Sequence, residues 1–215
     1  MKYFSFILII LVFLFLVSCK KKPETLYISG VVRQNNTETV SDAKVKLYTQ
    51  QIVNNTWSAA YSVLESTSSD DNGNFQFLIE DFAYVNFKIE VSKENHYAEF
   101  IEFTKNNFSG NKYFNEFNIY PFGCLQIHIK NSAPVNTQDY MSYQLLGDMP
   151  STFQAGSDSI FYFNGNSVDT TKTCKVYGNY NILINWSTFK SNILKEYSDT
   201  IYIFANDTTC YDLFY

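Results

Sequence analysis

Phe87-Lys88-Ile89-Glu90-Val91-Ser92 alternates apolar and polar residues without a break. A period of two puts successive side chains on opposite faces of an extended chain. Phe87, Ile89 and Val91 are therefore expected to face a core, and Lys88, Glu90 and Ser92 to face water. The pattern returns in Lys44-Val45-Lys46-Leu47 and in Leu125-Gln126-Ile127-His128-Ile129-Lys130. Val, Ile, Phe, Tyr and Thr dominate after residue 25, as strands favour, and no apolar stripe of helical period and length interrupts them. The fold class expected is all-β.

Strands are expected near 26–33, 43–50, 57–66, 75–80, 85–92, 97–104 and 114–120, then near 125–130, 139–146, 158–163, 173–177, 180–187, 199–205 and 209–214. Turn residues separate them, among them Asp71-Asn72-Gly73-Asn74, Asn131-Ser132-Ala133-Pro134, Asn164-Gly165-Asn166 and Gly178-Asn179. Pro121-Phe122-Gly123 reads as a hinge at 121–123 between two units, 26–120 and 124–215. Each is close to the size of one seven-stranded sandwich, so two consecutive Ig-like β-sandwich domains are expected. Units this small need dense cores. Aromatic residues make up 18% of the chain and can fill them, with Trp57 and Trp186 as candidate anchors.

Three segments of the first unit carry a resemblance. Ile28-Ser29-Gly30-Val31-Val32, Ala43-Lys44-Val45-Lys46-Leu47-Tyr48 and Asp71-Asn72-Gly73-Asn74-Phe75 resemble carboxypeptidase regulatory-like (transthyretin-like) domains, in this order. The resemblance covers nearly half the chain and implies a β-sandwich with no particular activity. It also implies an envelope setting, since such modules are common in lipoproteins and outer-membrane receptors of Bacteroidetes-like bacteria. The stretch 50–70 departs from the pattern in being long and rich in Asn and Ser.

The chain opens Met1-Lys2, followed by the apolar run Tyr3–Val17 and then Ser18-Cys19. A basic start, an apolar run too short to span a bilayer and a small residue before the break are the layout of a secretory signal. Leu16-Val17-Ser18-Cys19 resembles a bacterial lipobox. That implies cleavage of a signal peptide, 1–18, and lipidation (palmitate among the acyl chains) of Cys19, followed by a tether, 19–25. Lys20 after the Cys resembles lipoproteins sent on to the outer membrane, with the periplasmic and surface faces both open.

A formal charge of −5 argues against a nucleic-acid partner. His96 and His128 have no metal-ligand spacing, so neither a metal nor a cofactor is expected. No nucleophile elbow, P-loop or dinucleotide fingerprint appears. Glu80-Asp81 could in principle join another carboxylate for glycoside hydrolysis. Ser69-Asp70-Asp71-Asn72-Gly73 fails the calcium-loop spacing and reads as a hairpin turn.

Cys124, Cys174 and Cys210 fall in the second unit. The reading favours a Cys174–Cys210 disulfide, both following a Thr near an expected strand start, with three unpaired thiols as the alternative. Trp57, Tyr61, Tyr140, Tyr143, Tyr162 and Tyr177 are candidates for stacking on sugar faces, against core or cross-strand roles. Asp-Ser/Thr runs place candidate O-glycosylation at Ser159, Thr170, Thr200 and Thr208, by resemblance to sites modified in exported Bacteroidetes-like proteins. The expectation is a non-enzymatic, lipid-anchored protein of binding or scaffolding type, with the membrane and an envelope protein or glycan as partners. An accessory carbohydrate-processing hydrolase and a purely structural envelope spacer are the alternatives.

Overall fold

The computed structural model describes residues 24–53, 56–82, 84–150, 153 and 159–215. The expected signal peptide, 1–18, and the lipidation residue Cys19 lie outside them, as does the tether up to residue 23. Thr25 already opens the first strand. The described residues form strands joined by turns, with one 3₁₀ turn at Lys105–Asn107.

The first unit holds β1 (Thr25–Gln34), β2 (Glu38–Thr39), β3 (Lys44–Val53), β4 (Thr56–Trp57), β5 (Ser62–Ser68), β6 (Asn74–Glu80), β7 (Tyr84–Ser92), β8 (Glu99–Thr104) and β9 (Lys112–Ile119). One sheet centres on β1, antiparallel to β6 and parallel to β9. The facing sheet runs β5-β3-β7-β8. The second unit holds β10 (Phe122–Lys130), β11 (Tyr140–Leu146), β12 (Ile160–Asn164), β13 (Asp169–Tyr177), β14 (Tyr180–Lys190), β15 (Ile193–Ile203) and β16 (Thr208–Phe214). Here β10 is antiparallel to β13 and parallel to β16, and the facing sheet runs β12-β11-β14-β15.

Apart from the two-residue β2 and β4, both units follow the same wiring. The first strand pairs antiparallel with the fourth and parallel with the seventh. The second pairs with the third and fifth, and the fifth with the sixth. The two units therefore have one seven-stranded sandwich topology, which the sequence does not disclose as a repeat.

Each unit has its own core. Phe87, Ile89 and Val91 of β7 are fully buried, as the alternation requires, and pack with Ile28, Val45, Leu47, Phe77 and Phe117. Leu125, Ile127 and Ile129 of β10 play the same part with Met141, Ile182 and Ile184. Each such side chain contributes about 1.5–3 kcal/mol on leaving water. Gly30 lies under the Phe75 ring and against the Asn115 carbonyl, where no Cβ fits. This is the physical reason for the glycine in the Ser29-Gly30 pair.

Several expectations change. The Asp70–Gly73 turn is closed as foreseen, with Asp70 Oδ1 accepting from Asn72 N at 2.9 Å and Asn74 N at 2.7 Å, and Gly73 at a φ of +77°. It is not a hairpin, because β5 and β6 belong to different sheets. The strand expected at 57–66 divides into β4 and β5. The strand expected at 199–205 begins at Ile193, because Ser191 and Asn192 take left-handed φ values of 51° and 62° and fold β14 tightly onto β15. Trp57 is 53% exposed, on a two-residue strand at the end of β3, and anchors no core. Trp186 is half-buried and stacks on Tyr197 at 5.2 Å.

The segment 121–123 is not a free hinge. Phe122 and Gly123 are the first residues of β10 and pair with Tyr177 and Val176. Phe122 N donates to Asn95 O, Gly178 N to Pro121 O, and Asn35 Nδ2 to Asn179 O at 2.7 Å. Tyr97 OH reaches Val176 O at 3.2 Å. Around these bonds Tyr120 stacks on Tyr177 at 4.2 Å, and Tyr97 meets Phe122 and Tyr177 edge-on. Residues of both units thus build one bonded aromatic seam.

Candidate functional site

The two outer faces of the second unit differ in chemistry. On β13-β10-β16 Lys130, His128, Asp169 and Asp212 lie within reach of one another. Lys130 Nζ lies 2.7 Å from Asp169, and His128 lies 2.8 Å from Asp169 and 3.4 Å from Asp212. Bonds from Lys130 and His128 hold the Asp169 carboxyl below the usual carboxylate range.

The outer face of β12-β11-β14-β15 is nearly free of charge. Register sets Tyr162, Ser142, Ser187 and Glu196 in one row across the four strands, and Ile160, Gln144, Asn185 and Ser198 in the next. Seven of these eight residues, all but Tyr162, line a shallow, open cavity of about 570 Å³. The hydroxyls of Ser142 and Ser187 lie 2.8 Å apart, and Ser198 Oγ donates to Asn185 Oδ1 at 2.8 Å. Tyr162 is 64% exposed and Ile160 49%. In the next row along, Tyr140 stacks on Phe189 at 5.2 Å.

The start of β11 is fixed by its neighbour Asp139, which is buried. Asp139 Oδ2 accepts from Val135 N at 2.8 Å and from Asn131 Nδ2 at 3.0 Å. The Val135 amide, the Asn131 side chain and the Asn136 amide, with nearby Lys190, hold its carboxyl low. The strand that presents Ser142 and Gln144 therefore begins from a charge-assisted clamp.

Of the six aromatic candidates, Tyr140 and Tyr162 come together on this face. Tyr143 is buried and stacks on Phe161 at 4.8 Å. Burial raises its hydroxyl pKa. Tyr177 belongs to the seam. Tyr61 lies in the first unit with Lys88 Nζ 5.5 Å from its ring centre, and Trp57 is exposed in the same unit. Ser142, Gln144, Asn185 and Ser187 were missed, since only strand register shows that they share a face with Tyr162. Among the carboxylates, Asp81 is held by Lys105 at 2.6 Å, and Glu80 sits on β6 opposite Thr25. Ser159 and Thr170 are half-buried, whereas Thr200 and Thr208 are exposed.

The Cys174–Cys210 disulfide is not formed, and all three described cysteines are free. Cys174 pairs with Leu125 and Cys210 with Gln126, on strands flanking β10 from opposite sides. That separates their backbones by two inter-strand spacings, roughly 9.6 Å, and puts the side chains on opposite faces. A disulfide needs Cα atoms within about 7 Å. Burial pushes the Cys174 thiol up to about 11, and Cys210 is exposed. Alkylation of the native protein at pH 8 is expected to modify Cys210 well before Cys174. Peptide mapping that finds Cys174 modified first contradicts this placement.

No family model matches the chain, and no curated protein matches it. Solved structures that it resembles include the TIE protein of Bacillus anthracis, at 10% identity and a TM-score of 0.37, over 89% of this chain and 34% of that one. The shaft pilin SpaA of Lactobacillus rhamnosus GG matches at 6% identity and a TM-score of 0.37, over 89% of this chain and 97% of that one. Catechol 1,2-dioxygenase of Acinetobacter sp. ADP1 matches at 9% identity and a TM-score of 0.35, over 48% of this chain and 55% of that one. This chain spans about a third of the length of the TIE protein.

Proposed function

We propose that this chain is a non-enzymatic, lipid-anchored protein of the cell envelope. It holds two β-sandwich modules in a fixed relation and presents them to an envelope partner. The observation that carries this reading is the seam. Backbone bonds from Phe122 to Asn95 and from Gly178 to Pro121, with the Tyr97–Tyr120–Tyr177 cluster, join the modules rather than leaving them on a loose linker. Fixed modules suit a protein that positions or scaffolds something. The Leu16-Val17-Ser18-Cys19 run supports the lipid anchor, and Lys20 favours the outer membrane. Acyl chains contribute about 0.8 kcal/mol per buried CH₂, so several on one cysteine hold a protein firmly.

The anchor is tested by mass spectrometry of the N-terminal peptide of membrane-extracted protein. The wild type is expected to begin at Cys19 with added acyl mass, and Cys19→Ala to lack that mass. An unmodified Cys19 in the wild type overturns the anchoring.

A further inference from the structure

The outer face of β12-β11-β14-β15 carries a polar strip across its middle, with Phe189 and Leu194 in the row on one side of it and Leu146 and Leu183 in the row on the other. Five of the eight side chains in its two central rows are serines or amides, namely Ser142, Gln144, Asn185, Ser187 and Ser198. Glu196 is the one charged group among these eight. The opposite outer face is occupied by Lys130, Asp169, His128 and Asp212, paired with one another. Within a single module, one outer face is thus rich in charged groups, and the other carries a largely uncharged, hydrogen-bonding strip between apolar rows.

We propose that this neutral face binds a polysaccharide chain, laid across the strands with a sugar ring on Tyr162. The reasons are chemical. A pyranose has equatorial hydroxyls around its rim and C–H groups on its faces. The rim needs neutral groups that both donate and accept, and each Ser hydroxyl does both, while each amide supplies two donors and a carbonyl. The ring face needs a flat apolar surface with a wet edge, which is what a tyrosine offers. Tyr162 stands 64% exposed at the end of the row that continues through Ser142, Ser187 and Glu196.

The bonds between Ser142 and Ser187 and between Ser198 and Asn185 hold these groups in place before a ligand arrives. Less side-chain entropy is then lost on binding. Three inter-strand spacings make the face roughly 14 Å wide, enough for a few rings of a sugar chain. The cavity is open at about 570 Å³, which suits a polymer passing across rather than a small molecule enclosed.

This inference rests on the binding role proposed above and names its ligand class. The test is native affinity electrophoresis of the detergent-solubilised full protein. Gels contain mixed-linkage β-glucan, xylan or galactomannan, with anionic alginate as the charge control. At least one neutral polymer is expected to retard the wild type, and alginate not to. Tyr162→Ala and Asn185→Ala should each weaken retardation at least tenfold while leaving the thermal midpoint within a few degrees. Trp57→Ala, which removes an exposed ring on the other module, should change nothing.

Retardation by none of the three neutral polymers overturns the proposal. So does retardation that survives the Tyr162→Ala/Asn185→Ala pair, or that Trp57→Ala removes. Because no membrane takes part, failure here leaves the acyl mass on Cys19 untouched. An unmodified Cys19 likewise leaves the electrophoretic result untouched.

Discussion

Phe87→Ala is expected to lower the unfolding free energy of the first module by about 3–5 kcal/mol, the usual cost of emptying a buried aromatic site. Phe87 has no exposed surface, and rings enclose it. Phe103 is stacked at 5.3 Å, Phe108 lies at 5.6 Å and Tyr84 meets it edge-on at 5.9 Å. Phe103 is in turn stacked on Tyr113 at 3.8 Å. Rigid rings collapse poorly into a void, which favours the upper part of the range. Phe100→Ala on the neighbouring strand supplies the contrast, since Phe100 is 61% exposed and its loss should move stability by under about 0.5 kcal/mol. Urea unfolding of both variants is the measurement. A Phe87→Ala effect below about 1 kcal/mol would show that this ring is not where the core is filled.

The second large effect is expected at the seam. A Cβ on Gly178 would lie 2.6 Å from Phe122 O and 2.7 Å from Ala205 Cα. Both are backbone atoms and cannot rotate away. Gly178 N also donates to Pro121 O at 2.9 Å, so its backbone is tied to the segment that the Cβ would strike. Gly178→Ala should therefore cost about 1–3 kcal/mol as overpacking. The displaced strand start carries Phe122, which meets Tyr97 edge-on at 4.8 Å. Limited proteolysis should accordingly gain a cut near residue 121 in Gly178→Ala that the wild type resists. A wild-type melting temperature together with unchanged proteolysis would contradict the packed seam.

The parts of the fold that follow from period-two alternation were legible in the chain. Phe87, Ile89 and Val91, Val45 and Leu47, and Leu125, Ile127 and Ile129 all point where their spacing puts them. The Asp70–Gly73 turn was legible too, because a carboxylate three residues before a glycine can accept from the turn's own amides. What the sequence hid depends on which strands become neighbours. Cys174 and Cys210 looked like partners until register put them on opposite faces of different strands. Trp57 looked like an anchor because of its size, but two residues of strand beyond the sandwich leave it outside.

The candidate site was half legible for the same reason. Tyr140 and Tyr162 stood out as aromatic residues in a strand context. Ser142, Asn185 and Ser187 are unremarkable residues until pairing across β11 and β14 aligns them. Gly123 and Gly178 read as turn or hinge residues because glycine so often serves there. Their actual use is close backbone approach, which only the neighbouring strand reveals.

The parallel pairing of first and last strands has a mechanical meaning. β1 lies parallel to β9 from Tyr27–Lys112 to Gln34–Ile119, and β10 lies parallel to β16 from Cys124–Thr208 to Lys130–Phe214. A pull between residues 25 and 215 enters each module at the start of its first strand and leaves at the end of its last. It loads both ladders lengthwise, in shear, so the rungs must yield together rather than peel one at a time. A chain held at residue 25 and pulled at residue 215 would resist through both ladders at once.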